Sequence, residues 1–272
     1  QPEFVTIEGC YSSNNSGDGL LVDLAVQSLT EKYGDVSITL VASDPESFSE
    51  KYTVIHNEYF NAPGAVTLLN IVAKLILFMF TGSYKASGYN KIKDADLVYS
   101  VGGGYLRFGS IRETVKTSVI HLSQMAWVQS NIKAKHYLMP QSIGPFRWMP
   151  VRLVKKFISH CEMIQLRDDR SFSDLMVTGL SIFRLEDLAV GQLKSRLMNE
   201  SYSHIKNSCT CIVVLRDIRR GRHETEEFIN KIHSAISQFD KIVFAVQSSV
   251  NGNDDSEFYK KYGIYSSIKL AD

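Results

Sequence analysis

The chain has 272 residues, with 30 lysines and arginines against 29 acidic residues and a formal net charge of +1. This balance disfavours nucleic acid as the main partner, because proteins that follow a phosphate backbone usually carry a basic excess or stripe. Hydrophobic residues make up 44% and charged residues 22%, which excludes a disordered or collagen-like chain and is typical of one large or two small globular domains.

The first predicted elements form a strand–helix–strand unit. Residues 4–10 are rich in β-forming side chains, and a helix with one apolar face is predicted from 18 to 32. A second strand is predicted at 36–41. A strand, a glycine-containing turn, a helix and a further strand constitute a βαβ unit, so we expect a parallel sheet.

The segment 65–80 (AVTLLNIVAKLILFMF) is strongly apolar. Its sixteen residues, interrupted by Asn70 and Lys74, fall short of the roughly 20 apolar residues that a membrane span requires. The segment therefore indicates a largely buried helix, with an interfacial helix at a lipid surface as the alternative.

The alternation of strands and helices continues to about residue 185 and predicts one complete doubly wound half. Strands are predicted at 96–101, 134–139 and 163–166, and helices at 113–128, 151–161 and 171–176.

The pattern weakens after residue 186 and resumes with strands that begin at Cys211 and Ile242 and helices at 224–239 and 256–262. We therefore predict an α/β fold with two Rossmann-like doubly wound halves. The N-terminal domain is expected at 1–185, a connector at 186–205 and a C-terminal domain at 206–272. The second domain is expected to be incomplete, because a doubly wound sheet usually needs five or six strands.

The cysteines and the first residues predict a cytoplasmic protein. The four cysteines form no Cys-x-x-Cys pair, which favours reduced thiols over a metal or redox site. They are Cys10, Cys161, Cys209 and Cys211. The opening residues show no basic region followed by an apolar stretch, so no signal peptide is expected.

Two glycine-containing loops follow predicted strands, at the sheet edge where α/β proteins bind ligands. Gly17-Asp18-Gly19 precedes a helix, and backbone N–H groups at a helix N-terminus suit an anion, although a turn needs glycine in any case. The run from Gly102 to Gly104 is costly in conformational entropy, which favours close passage of the backbone by a ligand over a simple turn.

Two further loops at the same edge carry polar side chains. In the segment 141–146 (QSIGPF), Gln141 and Ser142 offer hydrogen bonds to a substrate, and the glycine–proline pair shapes the turn. In the segment 167–171 (RDDRS), the arginine fork suits a carboxylate or phosphate, whereas the alternative is an aspartate that caps a helix beside surface arginines. Together the four loops predict a site for a small anionic ligand.

In order and spacing, these loops resemble those of the polysaccharide pyruvyl transferase family. The matching segments are 15–18 (NSGD), 96–104 (DLVYSVGGG), 141–146 (QSIGPF) and 167–171 (RDDRS), with support from 187–189 (DLA). The resemblance spans roughly residues 4–262. It implies a GT-B-like enzyme that moves the pyruvyl group of phosphoenolpyruvate onto a sugar as a ketal and releases phosphate.

The resemblance also implies partners and cellular placement. The donor would be phosphoenolpyruvate, with no separate cofactor. No metal requirement is expected, because the sequence shows no metal-ligand cluster. The acceptor would be a lipid-linked or nucleotide-linked saccharide, which suggests peripheral membrane association at the inner face of the membrane.

Under this interpretation, Arg167 would contact the anionic donor, while Gly103 and Gly104 would line the cleft with backbone N–H groups. Asp18 would accept from an acceptor hydroxyl, and His121 is the candidate acid or base, with a purely structural histidine as the alternative. The other expected substrate-binding residues are Gly17, Gln141, Ser142, Asp168 and Ser171.

Two other functions remain open at this point. One is a GT-B glycosyltransferase that uses a nucleotide-sugar. The other is a non-catalytic protein that retains the fold. The expected basic Arg-x-His-type donor segment of the family has no match after Asp255, and Arg222-His223 comes too early in the chain to supply it.

Overall fold

A computed structural model gives the arrangement of most of the chain. It describes residues 2–57, 65–85, 93–131, 134–191, 210–215, 227, 229–232, 234, 239, 241–250, 253–261 and 267–269. The chain divides into two compact units. The first contains residues 1–12 and 20–193, and the second contains residues 13–19 and 194–272. The segment 13–19 therefore groups with the second unit, and the predicted connector at 186–205 lies mostly outside the described residues.

The first unit alternates strands and helices. Its strands are β1 (Phe4–Cys10), β2 (Ser37–Ala42), β3 (Thr53–His56), β4 (Leu97–Ser100), β5 (Leu106–Phe108), β6 (Lys135–Gln141), β7 (Ile143–Phe146), β8 (Cys161–Leu166) and β9 (Ile182–Arg184). Its helices are α1 (Ser16–Tyr33, which begins in the second unit), α2 (Ala65–Thr81), α3 (Ile111–Thr117), α4 (Ser123–Asn131), α5 (Val151–Ile158) and α6 (Asp169–Met176).

Seven of these strands form one sheet in the order β3-β2-β1-β4-β6-β8-β9. Every pairing in this sheet is parallel, as the βαβ pattern predicts. The order moves outward from β1 in both directions, which is the doubly wound arrangement. Ligands of such sheets bind beyond the carboxyl ends of the strands. The short strands β5 and β7 pair with each other apart from this sheet.

Both faces of the sheet are covered by apolar side chains. On one face, Leu21, Ala25 and Leu29 of α1 pack in a cluster with Ile7 and Leu40 of the strands. The opposite face carries a larger cluster built from α2, α4, α5 and the strands. Strands buried on both faces read as nearly continuous apolar runs, which explains why β1 and β2 are recognisable from sequence.

Helix α2 confirms the helix predicted at 65–80 but not its largely buried character. Ile71 and Phe78 are buried in the core, whereas Leu69, Leu77 and Phe80 are 69%, 57% and 82% exposed. The helix thus has apolar residues on its solvent side as well as on its core side. Within the described part of the chain, no helix has both the length and the apolarity to cross a bilayer.

Several element limits differ from the prediction. The helix predicted at 151–161 ends at Ile158, and Cys161 instead begins β8. The stretch predicted as one helix at 113–128 is α3 and α4 joined by a π-type turn at Ser118–Leu122. The short strands β3, β5, β7 and β9 were not predicted, because three or four residues give too little periodicity to recognise.

The second unit is also α/β. It contains β10 (Thr210–Val213), β11 (Lys241–Val246), β12 (Ser249–Val250), β13 (Asn253–Asp254), α7 (Asp255–Lys261) and β14 (Ser267–Lys269). Strands β10, β11 and β14 form a parallel sheet in that order. The helix predicted at 224–239 lies largely outside the described residues.

Candidate functional site

The polar loops of the first unit meet at the carboxyl ends of three neighbouring strands. Strands β4, β6 and β8 are adjacent in the sheet, so the loops after Ser100, Gln141 and Leu166 lie side by side. This is the edge where a doubly wound sheet binds ligands.

Arg167 joins these loops to one another. Its Nε donates to Ser142 Oγ over 3.0 Å, and one Nη donates to the carbonyl of Gly103. The other Nη pairs with the carboxylate of Asp187, beyond β9. The planar guanidinium is suited to this because its five donors point in fixed directions. The side chains of Arg167 and Asp187 remain 26% and 20% exposed. The donor contact predicted for Arg167 stays a prediction, and an anion would share a guanidinium already bound to the protein.

The glycine run allows this close approach. Gly104 has a φ of +115°, and a Cβ placed there would lie 3.3 Å from Ser142 Cβ. A side chain at position 104 would therefore suffer both backbone strain and crowding. The backbone N–H contacts predicted for Gly103 and Gly104 remain a prediction.

Asp168 and Ser171 are engaged in the start of α6. Asp168 is the N-cap residue, and its carboxylate accepts from the N–H and the hydroxyl of Ser171, each at 2.8 Å. The Ser171 hydroxyl also accepts from the N–H of Ile143 over 2.9 Å. Partial burial raises the pKa of Asp168, but hydrogen bonds from the Ser171 N–H and from the hydroxyls of Ser142 and Ser171 outweigh it and lower the pKa. The capping alternative is thus observed, and substrate contact by either residue stays a prediction.

A small cavity is lined in part by Val101 and Tyr105, which flank the glycine run in the chain. Its volume is about 20 Å³, which is room for one water molecule. Three polar atoms of its wall have no hydrogen-bond partner within the described residues: Glu8 Oε2, Gln124 Nε2 and Gln141 Nε2. One acceptor and two donors facing a space of this size match the needs of a water or a hydroxyl group.

His121 also lines this cavity, in the π-type turn between α3 and α4. Its ring stacks on Tyr105 with centroids 5.4 Å apart. Burial lowers the pKa of His121 to about 4, because the charged ring cannot be solvated there. At neutral pH His121 is therefore the neutral imidazole, with one ring N–H and one unprotonated nitrogen that can accept a proton, and it is a weaker base than an exposed histidine.

A buried charged network adjoins the cavity. Glu8 Oε1 accepts from the hydroxyl of Ser100 and lies 3.1 Å from His136 Nε2, and Ser100 Oγ lies 2.7 Å from the same His136 nitrogen. His136 Nδ1 lies 2.7 Å from His160 Nε2. Burial disfavours charge on both groups, but Cys161 and Glu8 together raise the pKa of His136, and His136 in turn holds the pKa of Glu8 below its usual range. We therefore describe Glu8 and His136 as an ion pair.

Gly17 and Asp18 lie in the second unit, in the first turn of α1. The N–H of Gly17 donates to Asn15 Oδ1 over 3.2 Å. The N–H and hydroxyl of Ser16 both donate to the carbonyl of Gln247, at 3.0 and 2.9 Å. The roles predicted for Gly17 and Asp18 in binding or catalysis stay predictions.

Sequence reasoning assigned no role to Glu8, Gln124 and His136, and placed Asp187 only within a matching segment. A usable signal existed for the first of these. Glu8 is a carboxylate inside an otherwise buried strand, and such a charge requires a partner. Nothing in the spacing shows which partner it has, because His136 is 128 positions away.

Comparison with known proteins gives a family and a set of fold neighbours. The profile of the family described as "Polysaccharide pyruvyl transferase" matches residues 15–270. A UDP-N-acetylglucosamine 2-epimerase structure from Listeria monocytogenes is 10% identical with a TM-score of 0.47, covering 99% of this chain and 68% of that one. The S. aureus MnaA complex with UDP also has 10% identity and a TM-score of 0.47, covering 99% and 69%. Among curated proteins there is no match.

Proposed function

The chain belongs to the polysaccharide pyruvyl transferase family, and from this premise we propose that phosphoenolpyruvate is its donor. The family supports a role in pyruvyl transfer during polysaccharide biosynthesis. Our proposal adds that the pyruvyl group is placed on two hydroxyls of one precursor sugar as a cyclic ketal, with release of phosphate.

The proposed reaction balances without a redox cofactor. Protonation of the donor methylene carbon makes a methyl group and an oxocarbenium-like centre, which one sugar hydroxyl attacks. A second hydroxyl of the same sugar then displaces phosphate. Of the two hydroxyl protons released, one balances the new methyl group and the other is carried by the phosphate. The enzyme must therefore bind a carboxylate and a phosphate and accept a proton from the acceptor.

The observation that carries the proposal is the loop cluster held by Arg167 beside the cavity of His121. The guanidinium of Arg167, the backbone of Gly103 and Gly104 and the N-terminus of α6 lie at one sheet edge. Each of these groups favours the binding of an anion. His121 is unprotonated at neutral pH and faces a space the size of a hydroxyl, so we assign it the acceptor-side base. Arg167 is assigned to the donor.

Assays of phosphate release and product mass test this function. We expect phosphoenolpyruvate and a lipid-linked or nucleotide-linked sugar to give phosphate and a product heavier by one ketal-bound pyruvyl group, in equal amounts. His121→Gln should lower kcat by about 10²–10⁴, the usual contribution of a general base. His56→Gln, at a partly buried histidine of β3, is the matched control. Transfer from a nucleotide-sugar without phosphoenolpyruvate, or failure to bind either donor, would contradict the proposal.

Peripheral membrane contact is part of the proposal and is supported by α2. Its exposed apolar side chains, Leu69, Leu77 and Phe80, present a surface suited to the interfacial region of a lipid layer. We expect co-sedimentation with lipid vesicles, reduced several-fold in the double variant Leu77→Gln/Phe80→Gln. The matched control is Trp148→Gln, at a side chain that is 57% exposed outside α2. Equal sedimentation of all three proteins would locate any lipid contact elsewhere.

A further inference from the structure

We propose that His136, His160 and Cys161 form a binding site for a zinc-type metal ion. One ring nitrogen of each histidine and the sulfur of Cys161 lie within 4.8 Å of one another. The three residues belong to the first unit, and the inference is independent of the pyruvyl transfer proposed above.

Strand pairing brings these side chains together. His136 is the second residue of β6 and Cys161 is the first residue of β8, and the two are paired neighbours in the parallel sheet. His160 immediately precedes β8, in the turn that follows α5. The cluster therefore lies toward the amino ends of β6 and β8. The Arg167 loops lie at the opposite, carboxyl ends of the same strands.

The buried pair of Ser100 and Glu8 gives His136 the orientation of a metal ligand. Ser100 Oγ lies 2.7 Å from His136 Nε2 and donates to Glu8 Oε1, which is itself 3.1 Å from that nitrogen. The N–H on Nε2 is therefore held by a serine hydroxyl that is bonded to a carboxylate. The other nitrogen, Nδ1, then faces His160. Metal-bound histidines almost always donate their second ring N–H to a carboxylate, a carbonyl or a water, because this fixes the ring and increases its basicity. Both Glu8 and His136 are almost completely buried, so this arrangement is rigid.

The second histidine has room to adjust. His136 Nδ1 and His160 Nε2 are 2.7 Å apart and share a proton. Two nitrogens on one tetrahedral zinc ion stand about 3.3 Å apart, given bonds of about 2.0–2.1 Å. The rings must therefore separate by about 0.6 Å as the ion replaces the proton. His160 lies in a turn and is only partly buried, so it can make this movement.

The donor set selects the class of metal. Two imidazole nitrogens and a thiolate suit zinc and related transition ions, whereas magnesium and calcium prefer oxygen ligands. Zinc usually takes four ligands, which leaves one position for water or another group. Binding of the ion displaces the proton shared by the two histidines. Sequence spacing does not reveal this cluster, because His136 lies 24 positions before His160.

Metal titration of the full chain tests the site. The reduced protein is stripped with a chelator and titrated with zinc against a chromophoric competitor, and with cobalt, whose bond to a thiolate gives a charge-transfer absorption band. We expect one tight equivalent, the cobalt–thiolate band and a higher Tm with zinc. Cys161→Ser and His160→Asn should each weaken zinc binding by at least about 100-fold, since loss of an outer partner alone costs 10–100-fold.

Cys10→Ser is the matched control, because Cys10 is a thiol of the same unit that lies outside the cluster. It should bind zinc and form the cobalt band as the natural chain does. Absence of tight zinc binding by the natural chain would overturn the proposal. So would equal zinc affinity in the Cys161→Ser, His160→Asn and Cys10→Ser variants, since the ion would then be held elsewhere. Glu8→Gln provides a further readout and should weaken zinc binding about 10–100-fold.

Discussion

Replacing Arg167 with methionine is expected to reduce kcat/KM for pyruvyl transfer at least about 100-fold. Methionine removes the donors to Ser142 and Gly103 and leaves the Asp187 carboxylate without its cation. The loops would then lose their common attachment, and a displacement of about 1 Å in a positioned group can cost 10²-fold in rate. We also expect a loss of about 2 kcal/mol in the free energy of unfolding, because the groups left behind are only partly solvated. Steady-state kinetics and urea denaturation measure the two effects.

Two further variants separate the roles of this arginine. Arg170→Met, at a side chain three positions later that is 66% exposed, should be nearly silent in both measurements. Asp187→Asn keeps the guanidinium but removes its anionic partner. If Arg167 contacts the donor, calorimetry should show a larger loss of phosphoenolpyruvate affinity in Arg167→Met than in Asp187→Asn. Unchanged affinity in Arg167→Met would contradict the donor contact and leave Arg167 as a positioning residue.

Replacing Glu8 with glutamine is expected to lower the free energy of unfolding by about 3–5 kcal/mol. Glu8 and His136 are 3% and 0% exposed, so loss of the carboxylate leaves a buried imidazolium without its counter-charge. Breaking one side of a buried ion pair is costly for this reason, even where the intact pair adds little net stability. Urea or thermal denaturation at neutral pH gives the difference.

The double variant Glu8→Leu/His136→Leu is the control for this interpretation. Removing both charges with apolar side chains avoids an isolated buried charge, so the double variant should be less destabilised than Glu8→Gln. If the loss of unfolding free energy in the double variant instead equals the sum of the losses in Glu8→Leu and His136→Leu, the two residues do not interact as described. The matched surface pair Asp23 and Lys51 should show a much smaller effect on removal of the carboxylate, because these side chains are 45% and 63% exposed to water.

Much of the first half of the fold was predictable because its longer strands are apolar runs and its turns carry glycine. Strands β1, β2 and β6 and helix α1 were recognisable from apolar runs and periodicity. The end of α5 before Cys161 was not predictable, because over a few residues the apolar pattern of a helix cannot be distinguished from that of a buried strand. The exposed side of α2 was not predicted either, since an apolar stretch does not show which of its faces the core covers.

The candidate site was predicted as a set of loops and not as a set of bonds. The sheet order brings Gly103, Ser142 and Arg167 together, and their placement at one edge follows from parallel strands. Their mutual hydrogen bonds, and the pairing with Asp187, depend on tertiary geometry that no local pattern encodes. Glu8, Gln124 and His136 were missed for the same reason, since each acquires its significance only from neighbours distant in the chain.

The grouping of residues 13–19 with the second unit makes the chain cross between units three times, after Ser12, after Gly19 and after Leu193. A truncated chain that ends at Leu193 would contain the first unit together with residues 13–19 of the second unit. It would keep Ser16 and Asn14 while removing Gln247 and Ser249, to which they hydrogen-bond. Dissection of this protein into independently expressed halves therefore requires a new connection that bypasses residues 13–19, and a single cut does not provide one.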